Sequence, residues 1–323
     1  MEIKNMVSEI KSKLDARGGL KAIYFAACGG SQAAIYPAKY LIKCEAKNIA
    51  TGIFNSSEFV NATPAMIDDR CICVICSLKA TPETVEAVKA ANEKGAITVA
   101  MTGFADSEMA KNGQYSIIYS NGQNQVYSKA NQALALKFCF EVLKQFEDFP
   151  YYDEAMQAYD YIDNIIEKGK KDILPLAQKF AKDFKDDSVF YVLASGPAYP
   201  AAYSMACCHL MEMQQKHAVY LHSGEYFHGP FETTNETVPV ILIKSVGKTR
   251  PLDDRVERFL KKYAPRHMIL DMQEFDIGKI DEHVVEYFAS PILTPMERFM
   301  VSTMADLRGR SMDERRYMWK VEY

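Results

Sequence analysis

Residues 22–36 read AIYFAACGGSQAAIY, and this stretch has the pattern of one α/β unit. Seven small or apolar residues lead into a Gly-Gly-Ser turn, and a helical pattern begins there without a spacer. A short apolar run that passes through glycines into a helix is typical of one strand–turn–helix unit in a parallel sheet. A helix is therefore predicted to start near Ser31.

The same alternation of short apolar runs and helical patterns continues along the chain. Thr81 suits a helix N-cap, Pro82 the first helical position and Gly95 a helix end. Met6, Ile10 and Leu14 recur every four residues at the N-terminus, as in an amphipathic helix. Strands are predicted at 22–27, 71–77, 96–103, 115–120, 188–195, 218–223, 238–245 and 267–272. Helices are predicted at 1–19, 81–95, 129–145, 153–168, 171–184, 199–215, 252–262 and 292–306.

The second half of the sequence repeats the first. A shift of 167 positions aligns residues 24–58 with residues 191–225 without a gap, and Tyr24 then meets Tyr191 and Gly29 meets Gly196. Repeated strand–helix units of this kind indicate two similar domains. The predicted fold class is α/β, with two pseudo-symmetric, doubly wound, flavodoxin-like domains built on parallel sheets.

Length and charge limit the domain organisation and the partners. The 323 residues suit two domains, which we place at 1–150 and 151–306, followed by a polar tail at 307–323. The net charge is −4 without a basic stripe, so nucleic acid is not an expected partner. No signal-peptide pattern or membrane-length apolar stretch occurs, and a cytoplasmic location is expected.

The eight cysteines do not form a disulfide pattern. Cys71, Cys73 and Cys76 lie in an apolar run, CICVIC, and are expected to be buried free thiols in a reducing compartment. Their spacing is not that of a zinc site. We expect no metal and no cofactor.

Polar residues follow two of the predicted strands. Gly30 and Ser31 follow the first, and Ser77 and Thr81 flank the turn after the second. Because carboxyl ends of parallel strands share one edge of a sheet, these groups are predicted to form a phosphate cradle. The alternative is a plain tight turn. Lys79 either adds charge to the cradle or is simply solvated.

The segment HSGEYFHGPFE, residues 222–232, carries a second set of polar groups. His228 precedes Gly-Pro, which fixes a turn and favours an exposed imidazole. Glu212 ends an apolar helix, where it is either a solvent-edge residue or a buried proton-transfer group. A metal site of His222, Glu225 and His228 is disfavoured by its spacing. Glu225 aligns with Glu58 in the repeat, which favours a structural role, and Glu232 is unassigned.

The segments CGGS, ATPET, SEF and GEYFHGPFE together resemble the SIS (sugar isomerase) phosphosugar-binding domains, here in tandem. The arrangement is similar to the isomerase half of glucosamine-6-phosphate synthase. The fructosamine-6-phosphate deglycases are more similar still in the amino-acid sequences of three segments, SGPAYPAAYS, LMEMQ and the terminal RRYMWKVEY. The resemblance covers nearly the whole chain.

The resemblance implies roles for individual residues. Glu212 would be the proton-transfer base, and His228 would open the sugar ring or protonate departing groups. Lys320 would be a sugar ligand in a tail that closes over the active site. Ser31, Ser77 and Thr81 would bind the phosphate. The family loop Ser-x-Ser-Gly-x-Thr is replaced here by residues 76–81, CSLKAT, so its phosphate ligands differ.

The function that the resemblance implies is cleavage of a fructosamine 6-phosphate to glucose 6-phosphate and a free amino acid, by proton transfer through an enaminol. The substrate would be a phosphorylated sugar amine, and the enzyme a homodimer or higher oligomer whose histidine loops complete neighbouring sites. Two alternatives stay open at this point. One is an aldose–ketose phosphosugar isomerase, and the other is a phosphosugar sensor without catalysis.

Overall fold

The strand that opens the quoted stretch is β1, Ala22–Ala27, and all six of its residues are buried. A strand that is buried on both faces lies inside a sheet with helices on either side, which explains its continuous apolar sequence. The computed structural model describes residues 1–322. The chain divides into two compact units, Met1–Asp160 (unit 1) and the residues from Tyr161 onward (unit 2).

Unit 1 is a five-stranded parallel sheet with the order β2-β1-β3-β4-β5. This is the flavodoxin-like order, in which successive strands are added to one side of β1 as far as β2 and to its other side from β3 onward. The other strands are β2 (Ala50–Asn55), β3 (Cys71–Cys76), β4 (Ile97–Thr102) and β5 (Tyr115–Ile118). The helices are α1 (Ile3–Asp15), α2 (Gly29–Glu45), α3 (Ser56–Asn61), α4 (Pro82–Glu93), α5 (Glu108–Asn112), α6 (Asn131–Glu147) and α7 (Tyr152–Ala158).

Unit 2 repeats this architecture with a four-stranded parallel sheet of order β7-β6-β8-β9. Its strands are β6 (Val189–Ala194), β7 (His217–His222), β8 (Val240–Lys244) and β9 (His267–Asp271). Its helices are α8 (Ile162–Asp172), α9 (Leu174–Phe184), α10 (Tyr199–Tyr203), a π-helix (Ser204–Met213), α11 (Arg250–Tyr263) and α12 (Ala289–Arg308). The predicted fold class is confirmed.

The predicted repeat is visible in the strand register. The pair Ala22↔Ala50 in unit 1 corresponds to Val189↔His217 in unit 2, with the same shift of 167 positions for both strands. Strand β2 was not predicted, because its residues are only half-buried and form no apolar run. Its position follows from β7 once the repeat is applied.

Two of the predicted helices are wrong in detail. The helix predicted at 153–168 is two helices, α7 and α8, broken around Tyr159, whose hydroxyl donates to the Ala133 carbonyl. The helix predicted at 199–215 starts as α10 and continues as a ten-residue π-helix. Helix α2 begins at Gly29, close to the predicted start near Ser31.

The buried thiols of the CICVIC run are confirmed. Cys71, Cys73 and Cys76 are each at most 1% exposed, and all eight cysteines are free. Among residues 1–322, no helix is long and apolar enough to cross a membrane.

Candidate active site

The turn between β1 and α2 exposes backbone at the carboxyl edge of the unit 1 sheet. Gly29 has a φ of +56°, a conformation that side chains other than glycine rarely adopt. Gly30 is exposed and Ser31 half-buried, both in the first turn of α2. The first amides of a helix lack intrahelical partners, so this turn can bind an anion.

The turn after β3 contributes a chain of hydroxyl groups at the same edge. The Thr81 amide donates to Ser77 Oγ over 3.1 Å, and Thr81 Oγ1 lies 3.0 Å from Thr84 Oγ1. Thr84 donates in turn to Ser56 Oγ over 3.1 Å. Thr81 occupies the N-cap position of α4 as predicted, but its side chain does not cap the helix.

Ser56 and Thr84 are two hydroxyl residues of this edge that the sequence analysis did not assign to the phosphate site. Both are at most 1% exposed and support Thr81 from inside the protein. The repeat did contain a signal, since Ser56 aligns with Ser223. A hydroxyl at the end of the second strand is thus common to both units.

Cys76 stands where the resembling loop has a serine. Burial raises the pKa of its thiol to about 12, and the thiol lies beside Ser31. The group therefore remains neutral near pH 7 and does not repel an anion bound at this edge.

The corresponding edge of unit 2 has a different chemistry. Ser223 donates to the Asp253 carboxylate over 2.6 Å, where the equivalent Ser56 accepts from a threonine hydroxyl. Asp253 is fully buried, and burial raises its pKa to about 6. A carboxyl group in this place disfavours a bound phosphate, so the hydroxyl-lined edge of unit 1 is the better anion site.

Glu212 lies in the last turn of the π-helix, with its side chain 23% exposed. Its Oε1 accepts from Arg315 Nε over 2.8 Å and from Arg315 Nη2 over 2.7 Å. A π-helix rotates successive side chains differently from an α-helix and occurs frequently at functional sites. The structure thus places Glu212 at a partly open helix end, where Arg315 is its cationic partner.

The last residue of α12 and the polar tail that follows it contact this helix end. Arg308 donates to the Gln214 carbonyl over 3.0 Å, Arg310 to the Met213 carbonyl over 3.2 Å, and Arg316 to the Gln215 side chain over 2.7 Å. Arg315 adds the contact to Glu212. We call residues 308–320 the arginine strap, because its four arginines bind four consecutive residues, 212–215.

Lys320 lies at the end of the strap. Its Nζ donates to the Arg315 carbonyl over 2.5 Å. The two residues that the resemblance assigned to the base and to the tail, Glu212 and Lys320, are therefore joined through Arg315. Arg315 was not singled out from the sequence.

His228 lies in the turn that follows β7 and is exposed. Its amide donates to the Glu225 carbonyl over 2.9 Å, and Gly229 follows with a φ of +127°. Tyr226, 1% exposed, anchors the turn through edge contact with Phe259 of α11. The turn is thus fixed from below while the imidazole faces outward.

Glu212 and His228 are not brought together within one chain. The π-helix runs from the carboxyl edge of the unit 2 sheet towards the amino edge, so Glu212, in its last turn, lies near the amino end of β7. Lys216, which immediately precedes β7, donates to the carbonyl of Lys185, which precedes β6, and so marks the same edge. His228 follows the carboxyl end of β7. Six strand residues, about 20 Å at 3.3 Å each, separate the two edges.

A buried pair fixes the π-helix from behind. His209 Nδ1 lies 2.7 Å from Glu297 Oε2 of α12. Burial raises the pKa of Glu297 and lowers that of His209, so a neutral acid donates to a neutral imidazole.

His222, Glu225 and His228, the alternative metal ligands of the sequence analysis, do not form a metal-binding group. His222 Nδ1 instead accepts from the Gly224 amide over 3.1 Å. The described part of the chain holds no group of three or more metal-ligating side chains.

The comparison with known families first defines the class of protein. Residues 20–142 match the family model described as SIS domain. The turns that carry Gly30, Ser31, Ser77 and Thr81 all lie inside the matched range, so the hydroxyl-lined edge belongs to a SIS domain.

Two relatives then define the family. The chain is 36% identical over its whole length to the fructosamine deglycase FrlB of Bacillus subtilis, of which it covers 97%. Over 97% of its length it is 24% identical to the fructoselysine 6-phosphate deglycase of Escherichia coli K12, of which it covers 94%. The chain belongs to the SIS-domain family of fructosamine deglycases.

Solved structures show the same architecture. A Bacillus subtilis structure provisionally described as a phosphosugar isomerase superimposes with a TM-score of 0.95 at 35% identity, covering 99% of this chain and 97% of that one. The C-terminal domain of glucosamine-fructose-6-phosphate aminotransferase from Francisella tularensis gives 0.79 at 16% identity, with 97% and 94% coverage. At that identity the second match shows the fold alone.

Proposed function

We propose that this chain is a deglycase that converts a fructosamine 6-phosphate and water to glucose 6-phosphate and a free amino acid. The observation that carries the proposal is the 36% identity to FrlB over all 323 residues, a range that spans the His228 turn and the arginine strap.

The phosphate is assigned to the hydroxyl-lined edge of unit 1. Gly30 and Ser31 provide backbone amides at the start of α2 and one hydroxyl group. Ser77 and Thr81 provide hydroxyl groups from the turn after β3. Neutral donors bind a phosphate dianion without competing anionic charge nearby, which the unit 2 edge with Asp253 cannot provide.

The chemistry requires a proton to move from C1 to C2 of the sugar. Glu212 takes the C1 proton while O2 gains a proton from water, so that the electrons form an enaminol, and Glu212 returns its proton to C2, which leaves a protonated imine at C1. Water adds to C1 and the C–N bond breaks. The amine departs in its protonated form, and the sugar that remains is glucose 6-phosphate in its aldehyde form. Acid–base residues of this kind contribute about 10²–10⁴-fold each.

His228 opens the sugar ring and Lys320 binds sugar oxygens in this scheme. Because β7 separates Glu212 from His228 within one chain, the imidazole is supplied by a second copy of the chain. The functional unit is then a homodimer at least. The free thiols of the described chain suit a reducing compartment, and we assign the enzyme to the cytoplasm.

The test is release of glucose 6-phosphate, followed with a coupled dehydrogenase, across phosphorylated Amadori compounds of lysine, asparagine and glycine. We expect turnover of at least one compound and a loss of about 100-fold or more in Glu212→Gln. Glu225→Gln, an exposed glutamate in the His228 turn, is the matched control and should retain activity. Turnover of fructose 6-phosphate alone would indicate an isomerase, and binding without turnover a sensor.

A further inference from the structure

Arg315 is the most buried residue of the strap segment that follows Arg310. It is 8% exposed, although the neighbouring Glu314 and Arg316 are exposed. A buried guanidinium is retained only when its donors are satisfied, and those of Arg315 bind in two directions. One set faces the Glu212 carboxylate, and the other faces the backbone of the strap.

The contact with Glu212 is one-sided. Both Nε and Nη2 of Arg315 bind Oε1, at 2.8 and 2.7 Å. Glu212 Oε2 receives none of the hydrogen bonds made by residues 1–322. One carboxylate oxygen is therefore fixed, and the other is available to exchange a proton.

The other contacts of Arg315 hold the strap. Its Nη1 donates to the carbonyls of Met312 and Glu314, at 2.9 and 3.0 Å. The guanidinium lies 5.6 Å from the Trp319 ring centre, and the carbonyl of Arg315 accepts from Lys320. The side chain that orients Glu212 thus also shapes the segment that ends in Lys320.

We propose that Arg315 is a positioning residue that couples closure of the arginine strap to orientation of the base. It holds Glu212 by Oε1 so that Oε2 faces the substrate carbon only when the strap is closed. The planar guanidinium gives this orientation, because its donors lie in a rigid fork that an ammonium lacks. The inference rests on the proposed role of Glu212 as base.

The experiment compares Arg315→Gln and Arg315→Lys with Arg316→Gln, which removes a neighbouring strap contact that ends on Gln215 instead of Glu212. A base misplaced by about 1 Å can lose ~100-fold in rate. We expect kcat to fall about 100-fold in both Arg315 variants, with KM changed by less than about threefold, and Arg316→Gln, which loosens the strap without releasing Glu212, to lose less than about tenfold in kcat. Equal kcat values for Arg315→Gln and Arg316→Gln would overturn the proposal.

A second measurement separates loss of the guanidinium group from loss of folding. Added guanidinium chloride at low millimolar concentration should restore part of the kcat of Arg315→Ala, because it can refill the vacated site beside Glu212. Far-UV circular dichroism and Tm establish that the variants are folded. The absence of rescue in a folded Arg315→Ala protein would argue for a purely structural residue.

The inference and the proposed function fail differently. In a Glu212→Asp background the shorter carboxylate no longer reaches Arg315, so Arg315→Gln should then add less than about threefold to the loss. A full additional loss there would overturn the coupling while leaving the base assignment intact. An active Glu212→Gln enzyme would instead reject Glu212 as the base, and a wild-type enzyme that turns over none of the phosphorylated Amadori compounds would reject the proposed function.

Discussion

Glu212 and His228 lie at opposite edges of one four-stranded sheet, with the whole of β7 between them. Both residues were assigned to one reaction from the resemblance. A sugar-sized substrate cannot contact two side chains that stand about 20 Å apart along a strand. Glu212 and His228 can act on one substrate if the His228 turn of one copy of the chain lies beside Glu212 of a second copy.

Mixing inactive variants tests this exchange. Glu212→Gln and His228→Ala should each be inactive alone, and unfolding and refolding them together should restore about a quarter of wild-type activity. Half of the randomly formed dimers are mixed, and a two-fold dimer of this kind has one intact site. Steady-state release of glucose 6-phosphate measures the recovery. A mixture as inactive as its components would exclude shared sites in a dimer.

Thr81→Val should weaken phosphate binding while leaving the fold intact. The variant keeps the shape of the side chain but removes the outermost hydroxyl of the chain Thr81–Thr84–Ser56. We expect KM for the phosphorylated substrate to rise about tenfold, since a hydrogen bond to a charged group contributes ~1.5–3 kcal/mol. Thr81→Ser is the control and should bind normally.

Thr84→Val changes the same chain one link deeper and should act on stability instead. Ser56 is fully buried and would lose the hydroxyl that donates to it. The free energy of unfolding should fall by about 1–3 kcal/mol, the cost of a buried polar group without its partner. Urea denaturation measures the change. An unaltered midpoint would show that a water replaces the lost hydroxyl.

Lys320→Met should raise KM and lower kcat, because the variant retains the length of the side chain but cannot donate to the sugar or to the Arg315 carbonyl. We expect about a tenfold loss in kcat/KM, corresponding to roughly one hydrogen bond involving a charged group. Lys261→Met, on the exposed side of α11, is the matched control. Unchanged kinetics in Lys320→Met would remove this residue from the proposed site.

Asp253→Asn should stabilise the protein most at high pH. Burial raises the pKa of Asp253 from 3.8 to about 6, so the folded state holds this proton more strongly than the unfolded chain. Its contribution to stability is complete below pH 4 and is lost as the pH rises through 6. Relative to Asp253→Asn, wild-type unfolding free energy should fall by about 1.5 kcal/mol between pH 5 and pH 8. Denaturant titrations at each pH measure the unfolding free energies of both proteins. A difference between wild type and Asp253→Asn that does not change with pH would contradict a raised pKa for Asp253.

The local sequence predicted most of the fold. Apolar runs such as CICVIC and turns such as Gly29–Ser31 depend on neighbours within a few positions, so strands, turns and their parallel arrangement are encoded where they occur. The repeat added the equivalence of the two sheets. The polar residues at strand ends could be recognised for the same reason, because the carboxyl edge of a parallel sheet is defined by local order.

Contacts between distant residues were decided by tertiary structure alone. Arg315 reaches Glu212 across 103 positions, and Ser223 meets Asp253 across 30. The π-helix that carries Glu212 is likewise held by Glu297 of α12 rather than by its own sequence pattern. Periodicity reports which face of an element is buried, but it does not report which charged group lies opposite. That pairing depends on how the folded elements and the returning tail pack, and it fixes the orientation of the candidate base.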